Sequence, residues 1–249
     1  MTARTLTCHV SAVEDLTPDV FRVHLEGRAE AMAHAPGQYL ELKLEEDIWV
    51  PFSIANAHRG DGTIELHIQH WPEHENSQRL RELILDSGVL TVRLPGGECR
   101  LDPDSSRPLL LIAAGTGFAQ MKALLEAALA ADQALPVSFW WAVRERRDFY
   151  LESLARTWAE THANFSFHAV AETPLEPGFD SERVTGHQGR IDEVLAANLE
   201  NVSAYDVYLS GSPGMVYACI DTLKPLGLNP ERVFSDVFTY APRESSPHP

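Results

Sequence analysis

The feature that most constrains this chain is a change of rhythm near residue 102. Before it the sequence reads as short strands. Thr5–Val13 and Asp19–Leu25 carry alternating or β-branched apolar positions. Gln38–Leu44 and Thr63–Gln69 alternate almost perfectly, and Val89–Leu94 ends at Pro95-Gly96-Gly97. One helical stretch, about Ser77 to Leu85, interrupts them. After the polar segment Asp102–Arg107, apolar strands alternate with helices. The strands are expected at Leu109–Ala113, Val137–Val143, Phe165–Val170, Val207–Leu209 and Arg232–Phe234. The helices are expected at Ala119–Ala131, Phe149–Glu160, Ile191–Ala197 and Pro213–Leu223. Short strands with turn signals suit a small antiparallel barrel. Strands alternating with helices imply a doubly wound parallel sheet.

A length of 249 residues is comfortable for two such units. The longest apolar run, Pro108–Ala114, is far short of the ~20 residues that cross a bilayer. No apolar segment follows Met1–Thr5, so a cytoplasmic location is the expectation. A formal charge of −16 argues against nucleic acid and anionic membranes as partners. Nucleotides remain open, because local backbone dipoles can hold them. Cys8, Cys99 and Cys219 are scattered, which supports buried thiols over a zinc site or an iron–sulfur cluster. His67, His70 and His74 do not converge either: His67 shares a strand face with Glu65, His70 points the other way, and Trp71-Pro72 intervenes. No metal is expected.

Gly115-Thr116-Gly117 sits where the first strand of the second unit should turn into its helix. Open parallel sheets bind ligands at the carboxyl ends of their strands. Glycine lets backbone approach a ligand, and the helix start offers unpaired N–H groups to phosphate. Alone, such a turn starts many helices that bind nothing. Ser210-Gly211-Ser212-Pro213 occupies the equivalent place after the fourth strand, and together the two turns outline a crevice. Pro213 suits a first helical turn, where its missing N–H costs nothing.

Taken with Pro36–Leu40, Pro51-Phe52-Ser53, Ile112–Phe118, Trp140–Arg144, Tyr208–Pro213 and Ser235–Phe238, these motifs make the chain resemble the ferredoxin–NADP⁺ reductase superfamily. The nearest likeness is to bacterial NAD(P)H:flavin reductases, including those that supply luciferases with reduced flavin. The resemblance implies a six-stranded flavin-binding barrel (1–101) and an NAD(P)-binding α/β domain (108–240); the polar segment 102–107 reads as the linker between them, and the polar, Pro-rich tail 241–249 as disordered. The resemblance further implies hydride transfer from NADH or NADPH to FMN, FAD or riboflavin, with reduced flavin passed to a monooxygenase or another acceptor. Ser53, Ser210 and Asp236 are the implied catalytic residues, Ser53 lying near flavin N5. Tyr39, Pro51, Phe52, Ser53, Ile54, Gly115, Thr116, Gly117, Phe118, Arg144, Gly211, Ser212, Pro213 and Phe238 are the implied cofactor contacts. Tyr240 is an alternative to Phe238 for stacking, and Arg146 or Arg147 to Arg144.

Two positions depart from the superfamily pattern. Val50 stands where an arginine usually pairs with the flavin phosphate, a loss of about 1.5–3 kcal/mol of charged hydrogen bonding. Flavin should therefore be weakly held and exchangeable, unless Lys43 or Arg79 replaces the missing cation. Ser210 stands where many members have cysteine, so no catalytic thiol exists there. Thr185–Arg190 reads as a structural loop into a helix. One rival is a reductase with tightly bound FAD that feeds a separate ferredoxin or oxygenase; another is a nucleotide-binding regulator without turnover.

Overall fold

The computed structural model describes residues 2–131 and 135–243. Six strands form the first unit: β1 (Arg4–Thr17), β2 (Val20–Glu26), β3 (Tyr39–Lys43), β4 (Trp49–Ser53), β5 (Thr63–Gln69) and β6 (Val89–Gly96). Their antiparallel order is β4-β3-β6-β1-β2-β5, and an Ile54–Leu66 bridge brings the two edges together. Alternation dictates which side chains go inward. In β3, Leu40 and Leu42 are buried while Tyr39, Glu41 and Lys43 lie between. Helix α1 (Glu75–Ser87) adds Leu80 and Ile84 to the same core and ends on Gly88 in the left-handed conformation. Pro51 lies in an edge strand, where its missing N–H is tolerated.

The second unit is a parallel sheet of six strands: β7 (Leu109–Ala114), β8 (Val137–Val143), β9 (Phe165–Ala171), β10 (Val184–Gln188), β11 (Asp206–Ser210) and β12 (Val233–Phe234). Their order is β10-β9-β8-β7-β11-β12. Helices α2 (Phe118–Ala130) and α3 (Glu152–Thr161) pack on one face. Helices α4 (Ile191–Asn198) and α5 (Pro213–Leu223) pack on the other, and the short α6 (Val237–Tyr240) closes the series. The chain leaves β7 in one direction towards β8 and returns on its other side as β11. The β7–β11 boundary is thus the topological switch point, where a crevice opens above the sheet.

Three local expectations need correction. Val184–Gln188 is a strand paired with β9, not part of a loop. A short 3₁₀ turn occupies Arg146–Asp148, so the following helix begins at Glu152 rather than at residue 149. The beginning of the tail is tied down. The Tyr217 hydroxyl donates to Ala241 O at 2.8 Å, and Arg243 pairs with Asp221 at 2.7 Å. Residues 244–249 of the tail lie outside the described residues.

The two units meet along β5 and α2. In β5 every residue from Ile64 to Ile68 is buried, so its polar face, Glu65 and His67, is covered rather than solvated. The first eight residues of α2, Phe118 to Leu125, are buried all round, including Gln120 and Lys122. One face of α2 rests on its own sheet. The other carries polar atoms that reach into the barrel: Gln120 Nε2 donates to Gly37 O at 2.6 Å and Lys122 Nζ to Ala55 O at 3.0 Å. A helix buried on two sides keeps polar groups only if each finds a partner.

Candidate active site

The two glycine turns lie side by side at the switch point. Gly115 takes φ +53°, a conformation that favours glycine, and space is open where a side chain would sit. Gly117 is needed for a different reason. A Cβ there would lie 2.2 Å from Ser210 O, so the turns touch backbone to backbone. The Trp141 indole donates to Gly115 O at 3.0 Å, and Phe118 stacks on the same indole at 4.1 Å. The turn is thereby fixed from below. No side chain caps the start of the 3₁₀ turn Gly115–Gly117 or of α2. At the neighbouring turn, the Ser212 hydroxyl accepts from Met215 N at 3.3 Å as the N-cap of α5, with Pro213 in the first helical turn.

Two contiguous cavities open over these turns. The inner one, about 450 Å³, is walled by Pro51, Phe52 and Ser53 from the barrel and by the Gly115 and Ser210 turns from the sheet. The outer one, about 660 Å³, continues over the ends of β8 and β10, past Arg144, Tyr150, Glu172 and Arg190. Gln69, Trp71, Ala114, Gly115, Thr116 and Ser212 line both. Of the residues named from sequence, Pro51, Phe52, Ser53, Gly115, Thr116, Gly117, Ser210, Gly211 and Ser212 come together at the inner cavity, and Arg144 lies in the outer one.

The remaining expected contacts lie elsewhere. Ile54 and Phe118 have fully buried side chains and serve the barrel core and the Trp141 stack. Pro213 starts α5 beside the outer cavity without lining it. Tyr39, Asp236 and Phe238 line neither cavity. Asp236 is turned to the barrel: its Oδ2 accepts from Gln120 Nε2 at 2.7 Å, and a Cβ on Gly97 would lie 2.8 Å from its Oδ1. Burial pushes its pKa up to about 6, against the hydrogen bonds from Gln120 and the backbone of Cys99 and Glu98. Tyr39 packs over Gly96 and Gly97, while Phe238 and Tyr240 are exposed on α6.

Charge is unevenly placed. No Lys or Arg lines the inner cavity among the described residues. Val50 lies outside both cavities. Lys43 pairs with Trp49, four residues along β3 from the Tyr39–Ser53 pair, and Arg79 is engaged by Glu45. Neither reaches the cavity. In the outer cavity Arg190 is held by Asp192 at 3.1 Å and Arg147 by Glu145 at 3.1 Å. Arg146 pairs with Glu152 and Glu176 and lines neither of the two cavities. Arg144 has no salt bridge among the described residues. The Gly189-Arg190 step, expected to be structural, lies at the cavity wall.

Sequence reasoning missed Gln69, Trp71, Tyr150 and the polar seam beneath them. His67 Nε2 bonds Glu65 Oε1 at 2.7 Å, and Lys122 Nζ donates to Glu65 Oε2 at 3.0 Å and Glu126 Oε1 at 2.8 Å. His67 Nδ1 lies 3.1 Å from the Tyr150 hydroxyl. Burial alone would raise the Glu65 pKa. The His67 hydrogen bond and the Lys122 charge outweigh it and hold Glu65 at about 2. Burial lowers the His67 pKa, so the ring is neutral. The available signal was Gln120, Lys122 and Glu126 inside an otherwise apolar helix.

Comparison with known proteins agrees with this architecture. Residues 7–100 match the oxidoreductase FAD-binding domain family, and residues 111–221 match the oxidoreductase NAD-binding domain family. An NAD(P)H-flavin reductase of Aliivibrio fischeri is 28% identical over 242 residues, covering 94% of this chain and 99% of that protein. Reductase component 1 of a Comamonas terephthalate 1,2-dioxygenase is 31% identical over 210 residues; the match covers 84% of this chain and 60% of that longer protein. The crystal structure of an Amycolatopsis cytochrome P450 reductase superposes with a TM-score of 0.80 at 25% identity, covering 94% of this chain and 69% of that one. No helix among the described residues is long and apolar enough to cross a membrane. The chain belongs to the ferredoxin–NADP⁺ reductase-like oxidoreductases, with a FAD-binding domain followed by an NAD-binding domain.

Proposed function

We propose that this protein is a cytoplasmic NAD(P)H:flavin oxidoreductase that takes flavin as an exchangeable substrate and releases it reduced to a separate acceptor such as a monooxygenase. The observation that carries this reading is the inner cavity. It is walled by Ser53 on one side and two bare glycine turns on the other, and no Lys or Arg among the described residues lines it. The residues present fit a flat ring with a hydrogen-bonding edge. The Ser53 hydroxyl and the Ser210 turn offer polar atoms, and Gly115 leaves room for close approach. Without a Lys or Arg among the lining residues, a flavin phosphate gains no charged hydrogen bond, each of which is worth about 1.5–3 kcal/mol. The ring is thus held mostly by its own contacts, which favours exchange.

A bound flavin supplies a ring that accepts hydride from a reduced nicotinamide. The chain's share is alignment and the exclusion of water. Gly115, Thr116 and Gly117 offer backbone N–H groups to the nucleotide at the switch point, aided by Gly211 and Ser212. Arg144, without a salt bridge among the described residues, is the cation for the nucleotide's far end. Ser53 holds or donates a proton at the ring edge, and Ser210 orients the nicotinamide amide. We take residues 102–107 as the linker between the two domains. Asp236 acts at one remove, through Gln120 and the Gly97 turn, rather than by touching the ring.

Two measurements test this reading. Protein loaded with FMN should lose it on size-exclusion chromatography; retention at one flavin per chain would favour the tightly bound, oxygenase-feeding alternative. Thr116→Pro removes one turn donor and should raise the KM for NAD(P)H at least ten-fold; an unchanged KM refutes the role given to the turn.

A further inference from the structure

The polar seam has a defined direction. Glu65 is ionised and can only accept, so it takes one hydrogen bond from Lys122 and one from His67 Nε2–H. A neutral imidazole carries one proton. With Nε2 protonated, Nδ1 is bare and must accept from the Tyr150 hydroxyl at 3.1 Å. The order is therefore Tyr150 O–H to His67, His67 N–H to Glu65, and Lys122 N–H to Glu65. Tyr150 and Lys122 belong to the nucleotide-binding unit, whereas Glu65 and His67 belong to β5 of the barrel. The chain of bonds crosses the seam twice.

Two neighbouring members of it face different spaces. Tyr150 lines the outer cavity and not the inner; His67 lines the inner and not the outer. Both rings are fixed by packing: His67 lies parallel to Phe118, with centroids 6.1 Å apart, and Tyr150 stands edge-on to His67 at 5.3 Å. Tyr150 also stands edge-on to Trp141, whose indole holds Gly115 O. Whatever seats against Gly115 and Tyr150 in the outer cavity therefore also orders the ring that walls the inner one.

We propose that Tyr150 and His67 are positioning residues that couple the two cavities, so that a nicotinamide nucleotide in the outer cavity tightens flavin binding in the inner one. This rests on the reading of the cavities as nucleotide and flavin sites. By linkage the coupling is reciprocal: flavin tightens the nucleotide by the same factor. Neither residue touches reacting atoms. Each acts by holding a wall in place.

The test uses oxidised ligands, which cannot react. The Kd of riboflavin is measured by quenching of its fluorescence, with and without saturating NAD⁺, and the Kd of NAD⁺ is measured alone by calorimetry. In the wild type, NAD⁺ should tighten riboflavin binding at least about five-fold, the low end of measured coupling factors. Tyr150→Phe keeps the ring and removes the bond, and the ratio should fall to within two-fold of one. His67→Gln, which can still donate to Glu65 and accept from Tyr150, should retain most of the coupling. A wild-type ratio near one overturns the proposal. So does a Tyr150→Phe variant that keeps the full ratio while only its melting temperature falls. If riboflavin or NAD⁺ fails to bind the wild type at all, the functional reading itself has failed, an outcome distinct from binding of both without coupling.

Discussion

Replacing Lys122 by Met removes the ammonium that ties the barrel to α2 while keeping the length of the side chain. Lys122 Nζ donates to Ala55 O, Glu65 and Glu126, at 3.0, 3.0 and 2.8 Å, so all three of its protons are used. The variant leaves Glu65 buried with His67 at 2.7 Å and the Arg22 guanidinium at 3.9 Å as its remaining partners. Removing one member of a buried ion pair typically costs about 3–5 kcal/mol. A Glu65 pKa lowered from 4.5 to about 2 is a net effect of about 3 kcal/mol, at 1.36 kcal/mol per pH unit, shared between the His67 hydrogen bond and the Lys122 charge against burial, so the low end, about 3 kcal/mol, is the expected loss. For a chain of this size, 3 kcal/mol lowers Tm by about 6–12 °C. The sign with pH follows from the direction of the change. The folded pKa of Glu65 lies below the unfolded one, so its stabilisation is complete above about pH 4.5 and fades as pH falls towards 2. The gap between wild type and Lys122→Met, measured by circular dichroism, should be widest near neutral pH and close in acid. Adding Glu65→Gln to Lys122→Met should recover part of the loss, since it no longer leaves a bare carboxylate. A deficit under about 1 kcal/mol at pH 7 would refute the view that this pair holds the seam.

Three further outcomes follow from particular contacts. Gly117→Ala drives a Cβ into Ser210 O and should raise the KM for NAD(P)H several-fold; Gly115→Ala meets open space, costs about 1–2 kcal/mol of backbone strain, and should disturb KM less. Steady-state kinetics on the pair checks the order. Asp236→Asn removes a carboxyl whose pKa is raised from 3.8 to about 6, a group whose favourable contribution is present below about pH 3.8 and lost as pH rises through 6. The variant's Tm should therefore gain on the wild type between pH 4 and 7, and a constant difference contradicts the burial of that charge. Ser53→Ala removes a hydroxyl at the inner cavity and should slow hydride transfer in stopped-flow traces about ten-fold, the equivalent of one hydrogen bond of roughly 1.4 kcal/mol, with little change in NADH affinity.

Much of this architecture was legible in the sequence because apolar period reports burial. Leu109–Ala113 is apolar throughout and became a central strand; Gln38–Leu44 alternates and became a barrel strand with Leu40 and Leu42 inward. Val184–Gln188 escaped because it is an edge strand containing Gly186, with Val184 its only buried residue. The two glycine turns were legible because their backbone requirements are written as residue types. The seam was not. Glu65 and His67 alternate in β5 like a solvated face, and Gln120 and Lys122 are isolated polar positions in an apolar α2. Their burial comes from the packing of one unit on the other, which no local period encodes. Asp236 shows the converse limit. Its place after the last strand suggested the flavin, yet its carboxylate faces Gln120 and the Gly97 turn.

On this reading hydride passes from NAD(P)H to a flavin that comes and goes. The most direct measurement is NADH and NADPH oxidation by protein stripped of flavin, alone and with riboflavin, FMN or FAD added in turn. Oxidation should be absent without flavin and should saturate on its addition. Riboflavin and FMN should serve within a few-fold of each other, because no Lys or Arg among the described residues at the inner cavity rewards a phosphate. Full turnover without added flavin, or none with any of the three, would contradict the account.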